Sequence, residues 1–182
     1  MPTTQERLQF LTFIVAGEEY GVEILRVREI VETMPITQVP ATPAAIRGVV
    51  NLRGTVVPII DPGVRFGLGA RLITKWTCIV FVDIDVAGTP TTMGLVADSI
   101  GHVIELDPSA IEPVPPFGSE IPLEFLTGMG AVGRKFVHLL NVDRVLSTSE
   151  LVAALSLVPK PPADGDESNR GPASPLETGA RP

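Results

Sequence analysis

Few side chains in this sequence have the type and spacing to do chemistry. His102 and His138 occur singly, outside any H-x-x-x-H or C-x-x-C spacing that would bring two ligands to one metal ion. Each is expected to be a half-exposed strand residue. Asp83, Asp85 and Asp98 could supply paired carboxylates for acid and base work. Asp83 and Asp85, however, alternate with Val82, Ile84 and Val86, which sends both to the outer, solvated face of one strand. Asp61 precedes Pro62-Gly63, a position where a carboxylate caps a turn. The sequence contains no G-x-x-x-x-G-K-[ST] phosphate loop. Gly128, Gly130 and Gly133 of GMGAVG match a dinucleotide-binding loop only loosely, ahead of a strand instead of a helix. These three read as turn glycines. No nucleophile or base accompanies any of the carboxylates, so the residues point to a protein that is not an enzyme and that holds neither metal nor cofactor.

The elements that must position these residues are mostly strands. LQFLTFIVA, TVVPII, TCIVFVDIDV and KFVHLLNV are short, rich in Val, Ile, Phe and Thr, and separated by Gly and Pro, the pattern of an all-β sandwich or barrel. Helical signals are limited to turns at TPAAIRG and PLEFLTG and to a C-terminal helix. That helix is predicted from the S-x-x-E capping box of Ser147 and Glu150, with Leu151, Leu155 and Val158 on one face. From Pro159 onward the chain is rich in Pro, Gly and small polar residues, which predicts a folded unit over 1–158 and a disordered tail over 159–182.

Composition narrows the class. A chain of 182 residues, 45% of them hydrophobic, can bury a real core. Its formal net charge is −7, and the Lys and Arg residues are scattered rather than striped, which argues against nucleic acid as the main partner. No run of about 18 apolar residues is available to cross a membrane. The start, MPTTQERLQF, lacks the basic-then-apolar plan of a signal peptide. The single cysteine, Cys78, lies in CIVFV; it rules out a disulfide framework and makes a reducing cytoplasm the expected setting. Cys78 is expected to be a buried small hydrophobe.

An internal repeat organises the strands. YGVEILRVREIVE aligns with MGLVADSIGHVIE, pairing Gly21 with Gly94, Val27 with Ile100 and Ile30 with Val103. RGVVNLRGTVVPIIDPGVRF aligns with TGMGAVGRKFVHLLNVDRVL, pairing Gly48 with Gly128, Ile59 with Leu139 and Asp61 with Asn141. The motifs keep their order in both halves, which predicts two similar β-barrels of about five strands each. Arg53, at the tip between VVNL and TVVPII, aligns with Gly133, so the fold alone does not demand a charge there. Arg134 and Lys135 follow at once, and a slip of one residue would place a basic group at that tip too. Val22 to Val31 fits neither helical nor strand periodicity, as befits a docking surface near a bulge or an irregular core strand.

These stretches resemble the CheW family of chemotaxis coupling proteins. The resemblance rests on FLTFIVAGEEYGVEILRVREI, TPAAIRGVVNLRGTVVPIIDPGVRFG, MGLVADSIGHVIELDPSAIEP and EFLTGMGAVGRKFVHLLNVDRVL, and covers Phe10 to about Leu157. It implies two five-stranded SH3-like β-barrels packed together, with short helical turns. It further implies a non-catalytic adaptor that holds the histidine kinase CheA, through its regulatory domain, against the cytoplasmic hairpin tips of chemoreceptors. In such arrays CheW-like barrels assemble into rings, and the protein is recruited from the cytoplasm to receptor arrays without inserting into a membrane. The family's receptor-contact and coupling positions fall on Ile24, Val27, Glu29 and Arg53. Apolar side chains such as Ile24 and Val27 can take up a helical hairpin in a groove, and a guanidinium at a corner can grip a carboxylate. Glu29 and Arg53 are expected to pair with each other. Where the family often continues IID with Leu-Arg, this chain has Pro62-Gly63, which implies a tighter turn and one basic contact fewer. An alternative within the class is a scaffold for a parallel pathway of pili or surface motility. A small-ligand-binding β-barrel is a different class and would require a deep polar pocket with convergent titratable groups. A fragment of CheA or CheV is opposed by the lack of a kinase segment and of a receiver domain.

Overall fold

The computed structural model describes residues 6–117 and 120–146, together with 149, 153 and 156. Its apolar runs are strands buried on both faces. Along β6 (Cys78–Val86), Ile79 and Phe81 point to one side and Val80, Val82 and Ile84 to the other, and all five are at most 2% exposed. That double burial explains why CIVFV is continuously apolar where a half-solvated strand would alternate.

Eleven strands are arranged in two sheets among the described residues. One sheet has the order β8-β1-β2-β11-β10-β9, formed by Ser99–Leu106, Leu8–Val15, Glu18–Glu23, Lys135–Leu140, Leu126–Val132 and Ile111–Glu112. The other has the order β3-β6-β7-β5-β4, formed by Val27–Glu32, β6, Thr89–Ala97, Thr55–Ile60 and Ile46–Leu52. These are the two SH3-like barrels, six- and five-stranded. Short helices α1 (Pro62–Arg65) and α2 (Val142–Leu146) follow β5 and β11.

The repeat is realised as an exchange between sheets. β2 pairs in parallel with β11, through Gly21 opposite Leu139, and β7 pairs in parallel with β5, through Gly94 opposite Ile59. The first motif of each half therefore completes its sheet with the second motif of the other half. Three apolar clusters result. Phe10, Ile104 and Leu139 belong to one within the first barrel, and Val50, Ile59 and Phe81 to one within the second. The largest joins Phe13, Tyr20 and Val22 of one sheet to Val80, Val82 and Leu95 of the other.

The alignment of Arg53 with Gly133 holds without a slip. Both occupy the first position of a hairpin turn, between β4 and β5 and between β10 and β11, and Arg134 takes the second position, matching Gly54. Asp61 and Asn141 are equivalent too. Asp61 Oδ1 accepts from the Val64 amide at the start of α1, and Asn141 Oδ1 from the Arg144 amide at the start of α2.

Several expectations are corrected. KFVHLLNV is a strand only to Leu140, and a short helix, α2, follows from Val142 with Asn141 as its cap. The capping box of Ser147 and Glu150 and the tail from Pro159 lie outside the described residues. Gly128 and Gly130 are not turn glycines; they lie inside β10, where a Cβ would fall 2.8 Å from Ile111 and 2.4 Å from Leu106. Cys78 is half-buried at the start of β6, not sealed in the core. His102 is exposed, whereas His138 is half-buried as expected.

Candidate functional site

Val22 to Val31 fits no single period because the chain changes sheets there. β2 ends at Glu23, a single 3-10 turn covers Ile24–Arg26, and β3 begins at Val27 in the other sheet. Ile24 and Val27 are half-buried against the central apolar cluster, and Leu25 between them is 93% exposed. A bulge between Val27 and Glu29 then breaks the pairing of β3 with β6, making Arg28 the unpaired residue.

Beside β3 lies a groove of about 380 Å³, lined by Arg28, Glu29, Leu52, Arg53, Thr55, Val57 and Thr92. Arg53 Nη2 donates to Glu29 Oε2 at 2.8 Å. Arg28 Nη1 donates to Thr92 Oγ1 at 2.8 Å and lies 3.4 Å from Asp83 Oδ1, which also accepts from Thr92 Oγ1 at 2.6 Å. The groove thus carries two guanidinium groups above an apolar floor of Leu52 and Val57.

Arg53 adopts φ 52° and Gly54 φ 85°, the left-handed pair that a tight hairpin needs. A residue with a Cβ is disfavoured there by about 1 kcal/mol or more. The equivalent first turn positions hold Ala16, Ala87 and Gly133, also at positive φ, so the turn itself has no use for an arginine side chain.

The four residues singled out from sequence fall into two groups. Glu29 and Arg53 touch, as expected. Ile24 sits at the sheet crossing, in a separate groove of about 440 Å³ with Leu8, Glu23 and Leu25, while Val27 packs inward. Sequence reasoning missed Arg28, Thr92 and the exposed Leu25. Asp83, read as merely solvated, is held by Arg28 and Thr92. The signal for Arg28 was the broken periodicity itself, since a bulge is what turns its side chain toward the groove.

No cluster of three or more His, Cys, Asp or Glu able to hold a metal occurs among the described residues. Burial, and secondarily the Glu32 carboxylate, push the Cys78 thiol up, opposite to the shift an attacking thiolate requires. A larger cavity of about 610 Å³ between the β3–β4 loop and Ile73 has Arg47 as the one titratable residue among its described lining. That guanidinium is already engaged by Asp61 at 3.2 Å. No described helix is long and apolar enough to cross a membrane.

Two interleaved barrels, with a charged groove beside β3 of the five-stranded one, define the fold class. Residues 9–150 match the family model described as the CheW-like domain, and the chain belongs to this family of chemotaxis proteins. It is 35% identical over 143 residues to the chemotaxis protein CheW of Klebsiella aerogenes, covering 79% of this chain and 84% of that one. It is 34% identical over 142 residues to CheW of Helicobacter pylori, covering 78% and 83%. The crystal structure of the scaffolding protein TtCheW from Thermoanaerobacter tengcongensis superposes with a TM-score of 0.71 at 32% identity, covering 82% of this chain and 94% of that one.

Proposed function

We propose that the protein is a non-catalytic adaptor in a cytoplasmic chemosensory array, joining the hairpin tip of a chemoreceptor to the regulatory domain of the histidine kinase CheA. The observation that carries this reading is Arg53. It is 82% exposed on its side chain, held at a hairpin tip by Glu29, and set beside an apolar-floored groove. A receptor tip is a helical hairpin; its apolar side chains suit the groove floor, and its carboxylates suit Arg53 and Arg28. Ile24 and Leu25, at the sheet crossing, offer a second apolar contact for the same partner or for the kinase domain.

The test is a pull-down with purified CheA regulatory domain and a receptor cytoplasmic fragment. Binding to both, with the receptor arm weakened by Arg53→Ala, is the expected result. Binding to neither would remove the adaptor reading.

A further inference from the structure

Tyr20 on β2 and His138 on β11 lie opposite each other where these strands pair in parallel, with ring centroids 5.5 Å apart. Tyr20 is 0% exposed, yet its hydroxyl has no hydrogen-bond partner among the described residues. The buried Nδ1 of His138 lacks one as well. Native proteins leave few such groups bare, and each bare one costs about 1–3 kcal/mol. Both residues line a cavity of about 300 Å³ that shares no residue with the β3 groove. Glu18 and Glu120, both exposed, also line it, as do Leu68 and Ile121. Burial pushes the Tyr20 phenol up, and Glu18 and then Glu120 push it the same way, which places both carboxylates within electrostatic reach of the hydroxyl.

The chemistry of the lining selects a ligand class. An anion would meet two carboxylates. An apolar ligand would leave the Tyr20 hydroxyl and the His138 nitrogen unpaired. A metal ion would find no cluster of three His, Cys, Asp or Glu ligands among the described residues. A guanidinium has five N–H donors, carries the complementary charge and lies flat against aromatic rings. Tyr20 continues into an aromatic wall with Phe66, at 5.4 Å between centroids. The volume is at the low end for a ligand pocket and suits a group the size of one basic side chain.

We propose that the Tyr20–His138 cavity binds a guanidinium group, with Tyr20 Oη and His138 Nδ1 accepting its N–H donors and Glu18 and Glu120 balancing its charge. The group could arrive on a small alkylguanidine or on an arginine of a polypeptide. Isothermal titration of the full chain with butylguanidinium and, separately, with the peptide acetyl-Gly-Arg-Gly-amide distinguishes these sources. Saturable binding of either probe is expected, weakened at least ten-fold by Glu18→Gln with Glu120→Gln and several-fold by Tyr20→Phe. Butylguanidinium binding without peptide binding assigns the site to a free cation, and binding of both opens it to a partner's side chain. The glutamate substitutions are at exposed positions, and circular dichroism checks that each variant remains folded. Absence of saturable binding by both probes, or binding unchanged in the double glutamine variant, overturns the proposal.

Discussion

Arg53 at the tip of the β4–β5 hairpin donates to Glu29 on β3 across 2.8 Å, yet the two side chains differ sharply in exposure, 82% against 22%. An ion pair with one partner so open to water adds about 0–1 kcal/mol to stability. The pair therefore does little to hold the barrel together. On the proposed adaptor reading, the pair aims a guanidinium that would otherwise sample many rotamers, which lowers the entropic cost of engaging a partner's carboxylate.

Arg53→Gly separates the two roles. Glycine relieves the left-handed backbone at φ 52° and matches Gly133 in the other half. The urea midpoint should hold steady or rise by up to about 1 kcal/mol equivalent. Receptor-fragment binding should nevertheless fall several-fold. A variant that loses cooperative unfolding would show Arg53 to be structural.

How far this was legible in the sequence varied with the kind of residue. The repeat was visible because both halves keep Gly21 and Gly94, Ile59 and Leu139, Asp61 and Asn141 at equivalent places; the glycines face Leu139 and Ile59 where the sheets exchange strands, and Asp61 and Asn141 cap the helices that follow. The Arg53–Glu29 pair was reachable from the family resemblance. The sheet crossing at Ile24–Arg26 was not, because a three-residue 3-10 turn has no period of its own and shows only as disagreement between two patterns. The Tyr20–His138 cavity was also hidden. Its residues come from β2, β11, the loop after α1 and Glu120–Ile121, and Tyr20 meets His138 only through the parallel pairing of β2 with β11.

Asp61 and Asn141 cap equivalent helices but bear different loads. Asp61 is 0% exposed, pairs with Arg47 at 3.2 Å and accepts from the Arg71 amide at 2.8 Å. Asn141 caps and does no more than that with its described side-chain bonds. Asp61→Ala should cost about 3 kcal/mol, since it strips a buried network, and Asn141→Ala about 1 kcal/mol. Equal losses in chemical denaturation would refute the distinction.

Gly21 and Gly94 also differ in load. A Cβ on Gly94 would meet Ile59 at 2.5 Å and Ile79 at 2.8 Å, whereas one on Gly21 would meet Leu139 at 3.1 Å. Gly94→Ala should destabilise by roughly 1–3 kcal/mol through overpacking, and Gly21→Ala by less. Thermal unfolding of the two variants side by side gives the comparison, and a larger loss at Gly21 would contradict it.

Alkaline pH should unfold the protein partly through Tyr20. Burial first, then Glu18 and Glu120, raise its phenol in the folded state. A raised folded value means that this contribution is fully present below the unfolded tyrosine value, near pH 10, and is lost as pH rises above it. Cys78, also raised, acts with the same sign from about pH 8.5, so the measurement belongs in a Cys78→Ser background. There the urea midpoint should fall between about pH 9 and pH 11, and fall less when Tyr20→Phe is added. Parallel curves for the two chains would exclude Tyr20 as the cause.

Arg26 ties the sheet crossing to the second barrel. Its guanidinium donates to the carboxylate of Asp143 on α2 and to the Asp83 carbonyl on β6, and Asp143 accepts in turn from the Asp85 amide. The 3-10 turn, β6 and α2 are thereby joined through two side chains, each about a third exposed. The junction lies where the chain leaves one sheet for the other. Asp143→Asn keeps the size and one acceptor but removes the charge, and should cost about 1 kcal/mol, less at high salt. Hydrogen exchange gives the sharper readout. The Asp85 and Val27 amides should exchange faster in the variant while those of Phe81 and Leu139, deep in the two barrels, keep their protection. Uniform acceleration across all four would mean that Asp143 supports global stability alone, and unchanged exchange at Asp85 would show that the Asp143 charge does not hold this junction.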